Sequence, residues 1–117
     1  MASPASTVAV VTGASRGAGR GIAVALGDTG ATVYCLGRTR RGGPPPIDGA
    51  PGTIDDTADE VTARGGRGIA VAADCTDEAQ VAAAFAQVER DHGAPDVLAN
   101  AVWGGHDAFR SVDEWMA

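Results

Sequence analysis

Residues 12–19 read Thr-Gly-Ala-Ser-Arg-Gly-Ala-Gly, and the chemistry open to such a string is the cradling of phosphate. A glycine-rich turn between a strand and a helix lets the backbone approach a pyrophosphate and aims the helix N-terminus at it. Gly13 permits the tight turn, Gly17 close approach of a ligand, and Gly19 close packing of helix on strand. Ser15, Arg16 and Ala18 complete the loop that would surround the phosphates. The spacing is Gly-x-x-x-Gly-x-Gly, not the Gly-x-Gly-x-x-Gly of the common dinucleotide fingerprint. The nine basic residues are all arginine. A P-loop kinase or GTPase is therefore excluded, because its loop needs a lysine. Cys35, Cys75, His92 and His106 do not fall into a zinc-type spacing, so no metal site is expected and both thiols read as reduced. The one tyrosine, Tyr34, falls inside a strand and reads as core with a satisfied hydroxyl, not as a catalyst.

The glycine-rich string carries weight only if a strand precedes it and a helix follows. Residues 7–12, TVAVVT, are a β-branched run suited to a buried strand, and residues 20–29 read as a helix with Ile22 and Leu26 one turn apart. Gly30 stands where a C-terminal glycine belongs. A second strand is expected over 32–36, then a Gly-, Pro- and Arg-rich loop over 37–52 with Pro44, Pro45 and Pro46 extended. Thr53 with Asp56 resembles a capping box opening a helix over 53–64, with Ile54, Ala58 and Val61 on one face. A third strand over 68–73 leads to a helix over 77–92, capped by Thr76 or Asp77, carrying Val81, Phe85 and Val88 and closed by Gly93. A fourth strand spans 96–100, and Ser111 with Glu114 marks the start of a fourth helix.

The order βαβαβαβ predicts an α/β fold of Rossmann type: three layers around a parallel sheet with strand order 3-2-1-4, half of a doubly wound sheet. At 117 residues there is room for one domain, here a partial one spanning 1–117. Apolar residues make up 44% and charged residues 21%, as in ordinary globular proteins. A net charge of −6 argues against nucleic acid or anionic membrane as a main partner. No apolar stretch approaches the ~20 residues of a membrane helix. The N-terminus lacks the positive charge of a secretory leader, so the expected address is cytoplasmic.

The string T-G-A-S-R-G-A-G-R-G resembles the cofactor loop of the short-chain dehydrogenase/reductase family, and the likeness runs along essentially the whole chain. The family places an Asp after its third strand to contact adenine, and Asp74 stands there. It has an Asn-Asn-Ala-Gly segment after its fourth strand, where this sequence reads Asn100-Ala101-Val102-Trp103-Gly104-Gly105. Only the first Asn matches, so the resemblance implies for Asn100 a role in steadying the central strand.

NAD-selective enzymes carry a carboxylate at the end of the second strand to accept from the ribose 2′-hydroxyl. This sequence has Leu36-Gly37-Arg38-Thr39 there, and Arg38 offers a fork of donors suited to a 2′-phosphate. Arg16 resembles the second basic residue of NADP-preferring members of the family, so the expected cofactor is NADP(H). Arg40 and Arg41 read equally as added local potential or as loop charges.

The resemblance further implies hydride transfer between NADP(H) and a carbonyl or alcohol, catalysed by a Ser and a Tyr-x-x-x-Lys segment. With no lysine in the sequence, none of its residues is expected to be catalytic. Three readings stay open: a part of such an oxidoreductase, a nucleotide-binding module without catalysis, and a gene fragment without function. A Rossmann-like methyltransferase is a distant fourth. The apolar edge of the fourth strand is an expected route to self-association.

Overall fold

The computed structural model describes residues 6–46 and 49–103. Along the chain these form β1 (Val8–Thr12), α1 (Gly17–Asp28), β2 (Thr32–Gly37), α2 (Ile54–Ala63), β3 (Arg67–Ala72), α3 (Glu78–His92) and β4 (Val97–Asn100). The helix expected from Ser111 and Glu114 lies outside the described residues. All strand pairs are parallel and the order is β3-β2-β1-β4, the order expected.

Side-chain alternation along the strands builds the layers. Ala9, Val11, Val33 and Cys35 point to one face, where α1 and α2 bring Ala23, Ile54, Ala58 and Val61 against them. Val8, Val10, Tyr34 and Leu36 point to the other, where α3 contributes Ala84 and Val88. Because both faces of the two central strands are covered, every residue of β1 and β2 is buried. That is why they read as unbroken apolar runs. Burying one such side chain contributes roughly 1.5–3 kcal/mol. The exposed ion pairs, such as Arg64–Asp28 at 3.4 Å, contribute about 0–1 kcal/mol each, so burial and not surface charge holds the layers together.

Two helices differ from expectation in their details. α1 begins at Gly17, not at residue 20, and it buries Gly19, Ala23 and Gly27. Ile22 is 40% exposed and Leu26 is only half-buried against the core. The cause is closeness: a Cβ on Gly27 would sit 3.0 Å from the Val61 Cα, so the contact face accepts only small residues. In α3 the cap is Asp77, which accepts from the Ala79 and Gln80 N–H groups, and not Thr76. Its buried line is Ala84 and Val88, with Val81 and Phe85 half-buried. α2 follows the reading, with Thr53 Oγ1 accepting from the Asp56 N–H at 3.0 Å. Among the described residues no helix is long and apolar enough to cross a membrane.

Tyr34 is fully buried, its ring edge-on to His92 with centroids 5.9 Å apart. Its hydroxyl donates to Asp91 Oδ2 at 2.8 Å. Burial first, then the Asp91 carboxylate, pushes its pKa up to about 12, which suits a structural phenol.

Candidate functional site

A parallel sheet ends all its strands on one rim, and that rim is where open α/β sheets bind ligands. The predicted site residues gather there. Gly13, Ser15, Arg16, Gly17, Ala18 and Gly19 follow β1, Arg38 follows β2, Asp74 follows β3 by two residues, and Asn100 ends β4.

The loop after β1 is held from several sides. The Ala14 N–H donates to the Leu36 carbonyl at 3.0 Å. The Ala14 carbonyl accepts from the buried Thr57 hydroxyl at 2.7 Å. A Cβ on Gly13 would lie 2.7 Å from the Ala101 carbonyl oxygen, and one on Gly19 would strike the Gly13 carbonyl. These two positions admit no side chain without a backbone shift. Gly17 differs in kind: its φ is +59°, and a Cβ there would meet nothing within 4 Å. Glycine is needed at Gly17 for the left-handed turn, and the space before it is open.

Arg16 occupies the N-cap of α1 and provides no side-chain cap bond, and the first turn contains no acidic residue. The first-turn N–H groups at the positive end of the helix dipole suit an anion. Open space beside Gly17, bare backbone and a positive helix end together fit the pyrophosphate of a dinucleotide.

The Arg16 side chain turns away from the helix. Its Nε donates to the Pro51 carbonyl at 3.2 Å and its Nη2 to the Thr39 hydroxyl at 3.2 Å. It therefore lies against the residue next to Arg38. Arg38 is exposed directly beyond β2, and no carboxylate occupies the Leu36–Thr39 stretch.

The neighbouring arginines behave unlike one another. Arg41 Nη2 lies 2.8 Å from both Asp56 Oδ1 and Asp59 Oδ2, and its backbone N–H donates to Asp55 at 2.7 Å. These bonds raise the Arg41 pKa and hold the Asp56 carboxyl below its ordinary range, with Arg41 the largest cause and Thr53 next. Arg41 thus pins its loop to α2. Arg40 is exposed.

At the β3 end, Asp74 Oδ1 accepts from both the Thr76 N–H, at 2.9 Å, and the Thr76 hydroxyl, at 2.6 Å. These bonds, with the field of Arg38 a smaller cause, hold its carboxyl below the ordinary range, so it is ionised at neutral pH. The Asp74 N–H donates to Gln80 Oε1 at 2.8 Å. Asp74 belongs to the turn before α3, while Asp77 caps that helix. At the β4 end, Asn100 Oδ1 accepts from the Thr12 hydroxyl at 3.1 Å, and the Ala101 N–H donates to the Thr12 carbonyl at 3.2 Å. This ties the end of β4 to the end of β1.

Sequence reasoning missed Thr57, Thr39 and Pro51. Thr57 left a signal: a polar residue set inside the buried 54, 58, 61 stripe of α2. Thr39 and Pro51 left none, because their link to Arg16 depends on how the 37–52 loop returns.

A family model described as "short chain dehydrogenase" matches residues 7–115. The chain is 44% identical over 103 residues to "Dehydrogenase/reductase SDR family member 1" of Mus musculus, covering 87% of this chain and 29% of that protein. The Homo sapiens protein of the same name is 42% identical over 107 residues, covering 90% and 31%. A crystal structure of a short chain dehydrogenase from Mycobacterium thermoresistibile aligns with a TM-score of 0.72 at 27% identity, covering 94% of this chain and 39% of that one. The chain thus spans well under half the length of these relatives. With its parallel sheet, its glycine-rich first turn and these matches, the chain belongs to the short-chain dehydrogenase/reductase family.

Proposed function

We propose that this chain forms the adenosine and pyrophosphate half of a nicotinamide dinucleotide site, selective for NADP(H), in an oxidoreductase of its family. The observation that carries the reading is the pair of arginines, Arg16 in the loop after β1 and Arg38 directly after β2. Arg16 is fixed against Thr39, Arg38 is exposed beside it, and no carboxylate lies where an NAD-selective site needs one. A 2′-phosphate offers the doubly charged, three-oxygen partner that two guanidinium forks recognise. Gly13, Ser15, Gly17, Ala18 and Gly19 would hold the pyrophosphate. Asp74, fixed by Thr76, would accept from the adenine amino group, and Asn100 would hold the rim together at Thr12.

The bound nicotinamide supplies hydride chemistry, toward a small carbonyl or alcohol. The acid/base step is assigned to a Ser and a Tyr-x-x-x-Lys segment outside these 117 residues, since no lysine occurs among them. The protein is read as cytoplasmic.

The test is a fluorescence titration of the chain with NADPH and with NADH. NADPH is expected to bind at least about tenfold more tightly, a difference of about 1.4 kcal/mol. Arg38→Asp should narrow or reverse that gap. Equal affinities in the unsubstituted protein would overturn the NADP(H) assignment, and binding of neither would leave the family fold without the nucleotide site.

A further inference from the structure

The loop between β2 and α2 returns to the glycine-rich turn at its far end. Pro51 accepts from Arg16 Nε at 3.2 Å, and a Cβ on Gly52 would stand 2.5 Å from the Ser15 carbonyl oxygen. At its near end, the Thr39 hydroxyl accepts from Arg16 Nη2 at 3.2 Å. The Thr39 carbonyl is itself held, accepting from the Ile54 N–H at 2.9 Å. The Arg41 bonds to Asp55, Asp56 and Asp59 close the same neck from outside. One guanidinium therefore bridges the two ends of this loop, through donors on two of its nitrogens.

Arginine has several freely turning bonds, and holding it for a ligand costs binding energy unless the protein holds it first. Two bonds from different nitrogens define the plane of a guanidinium, where one would leave it free to rotate. We infer that Thr39, with the Pro51 carbonyl, is a positioning residue: it holds the Arg16 guanidinium ready for the 2′-phosphate, so that discrimination between the two dinucleotides depends on a neutral hydroxyl as well as on the two arginines. The inference rests on the NADP(H) reading above. It adds that the loop returning at Pro51 is part of the specificity device.

The consequence is a split between ligands. Thr39→Val keeps the shape and the backbone bond to Ile54 but removes the acceptor for Nη2. Thr39→Ser keeps the acceptor. The probes are adenosine 2′,5′-bisphosphate and 5′-AMP, measured by calorimetry on the full chain. Thr39→Val should weaken the bisphosphate about tenfold and leave 5′-AMP unchanged, with Thr39→Ser close to the unsubstituted protein. Equal weakening of both ligands, or of neither, overturns the inference, the first marking Thr39 as merely structural. If the unsubstituted protein binds both probes equally, the NADP(H) reading itself has failed, and that is seen before any variant is made. A readout without ligand or substitution covers the case in which Thr39→Val does not fold. The Arg16 Nε–H should exchange with solvent more slowly than the Arg38 Nε–H by NMR, and equal rates would show that Arg16 is not held.

Discussion

Leu36 and Leu98 are the same residue type on the same face of the same sheet, yet one is wholly buried and the other 51% exposed. Leu36 ends β2 in the middle of the sheet and packs in the cluster that α3 closes with Ala84 and Val88. Leu98 sits on β4, paired to Val10, and takes no part in that cluster. On the opposite face, Val97 and Ala99 of the same strand pack against the α1–α2 core. Among the described residues, burial in this sheet follows the helices. A strand residue gains its stabilisation from the element laid over it, and pairing alone leaves an apolar side chain in water.

The sharpest way to break this comparison is to truncate both leucines. Leu36→Ala should cost about 2–5 kcal/mol, the range for leucine removed from a closed core. Leu98→Ala should stay within about 0.5 kcal/mol, as for an exposed site. Urea unfolding of the two variants measures both, and similar losses would mean that Leu98 is covered in solution.

Next in size is Thr57→Val, which leaves the Ala14 carbonyl without its buried donor and should cost about 1–3 kcal/mol. Amide exchange should quicken around the glycine-rich turn before it quickens in β2, because the lost bond lies on that turn.

The two cysteines extend the comparison to reactivity. Cys35 is wholly buried in β2 and burial pushes its thiol up to about 12, whereas Cys75 is half-buried and raised by burial and by Asp74. Near neutral pH, iodoacetamide should add slowly to Cys75 and to Cys35 only in denaturant, as mass spectrometry of intact protein will show. Modification of Cys35 in the native protein would show that the sheet opens locally.

The smallest effects are those of the exposed carboxylates. Asp56 and Asp74 both titrate below their ordinary value of 3.8. A depressed pKa gives stability that is complete above the unfolded value and fades as pH falls through the folded one, so both contributions are present at neutral pH and lost in acid. Carboxyl NMR titration should show Arg41→Ala returning Asp56 toward 3.8 while Asp74, held first by Thr76, does not move.

The sheet was legible in the residues because its signals are local. Runs such as TVAVVT cannot be soluble loops, and alternating strand and helix with glycine punctuation restricts the topology to few choices. The glycine-rich turn was legible for the same reason, strand, loop and helix being contiguous. What escaped depended on distance or on packing. The face of α1 was misread because Ile22 and Leu26 are the apolar residues there, while the surface that fits against Val61 is glycine and alanine. The partners of Arg16 escaped because Pro51 is 35 residues away along the chain. Arg38 and Arg41 look alike in sequence, and only the position of α2 shows that Arg41 is paired with Asp56 and Asp59.

The tie between Thr12 and Asn100 spans 88 residues, and it has a consequence for synthesis. β1 is made first, yet one of its two edges pairs with β4, the last strand among the described residues. At about 5–20 residues per second on the ribosome, that edge waits roughly 4–18 s for its partner. Through that interval the unpaired N–H and C=O groups along one edge of β1 stand open to other nascent chains, so the yield of folded protein should depend on translation speed and on chaperones that cover such edges.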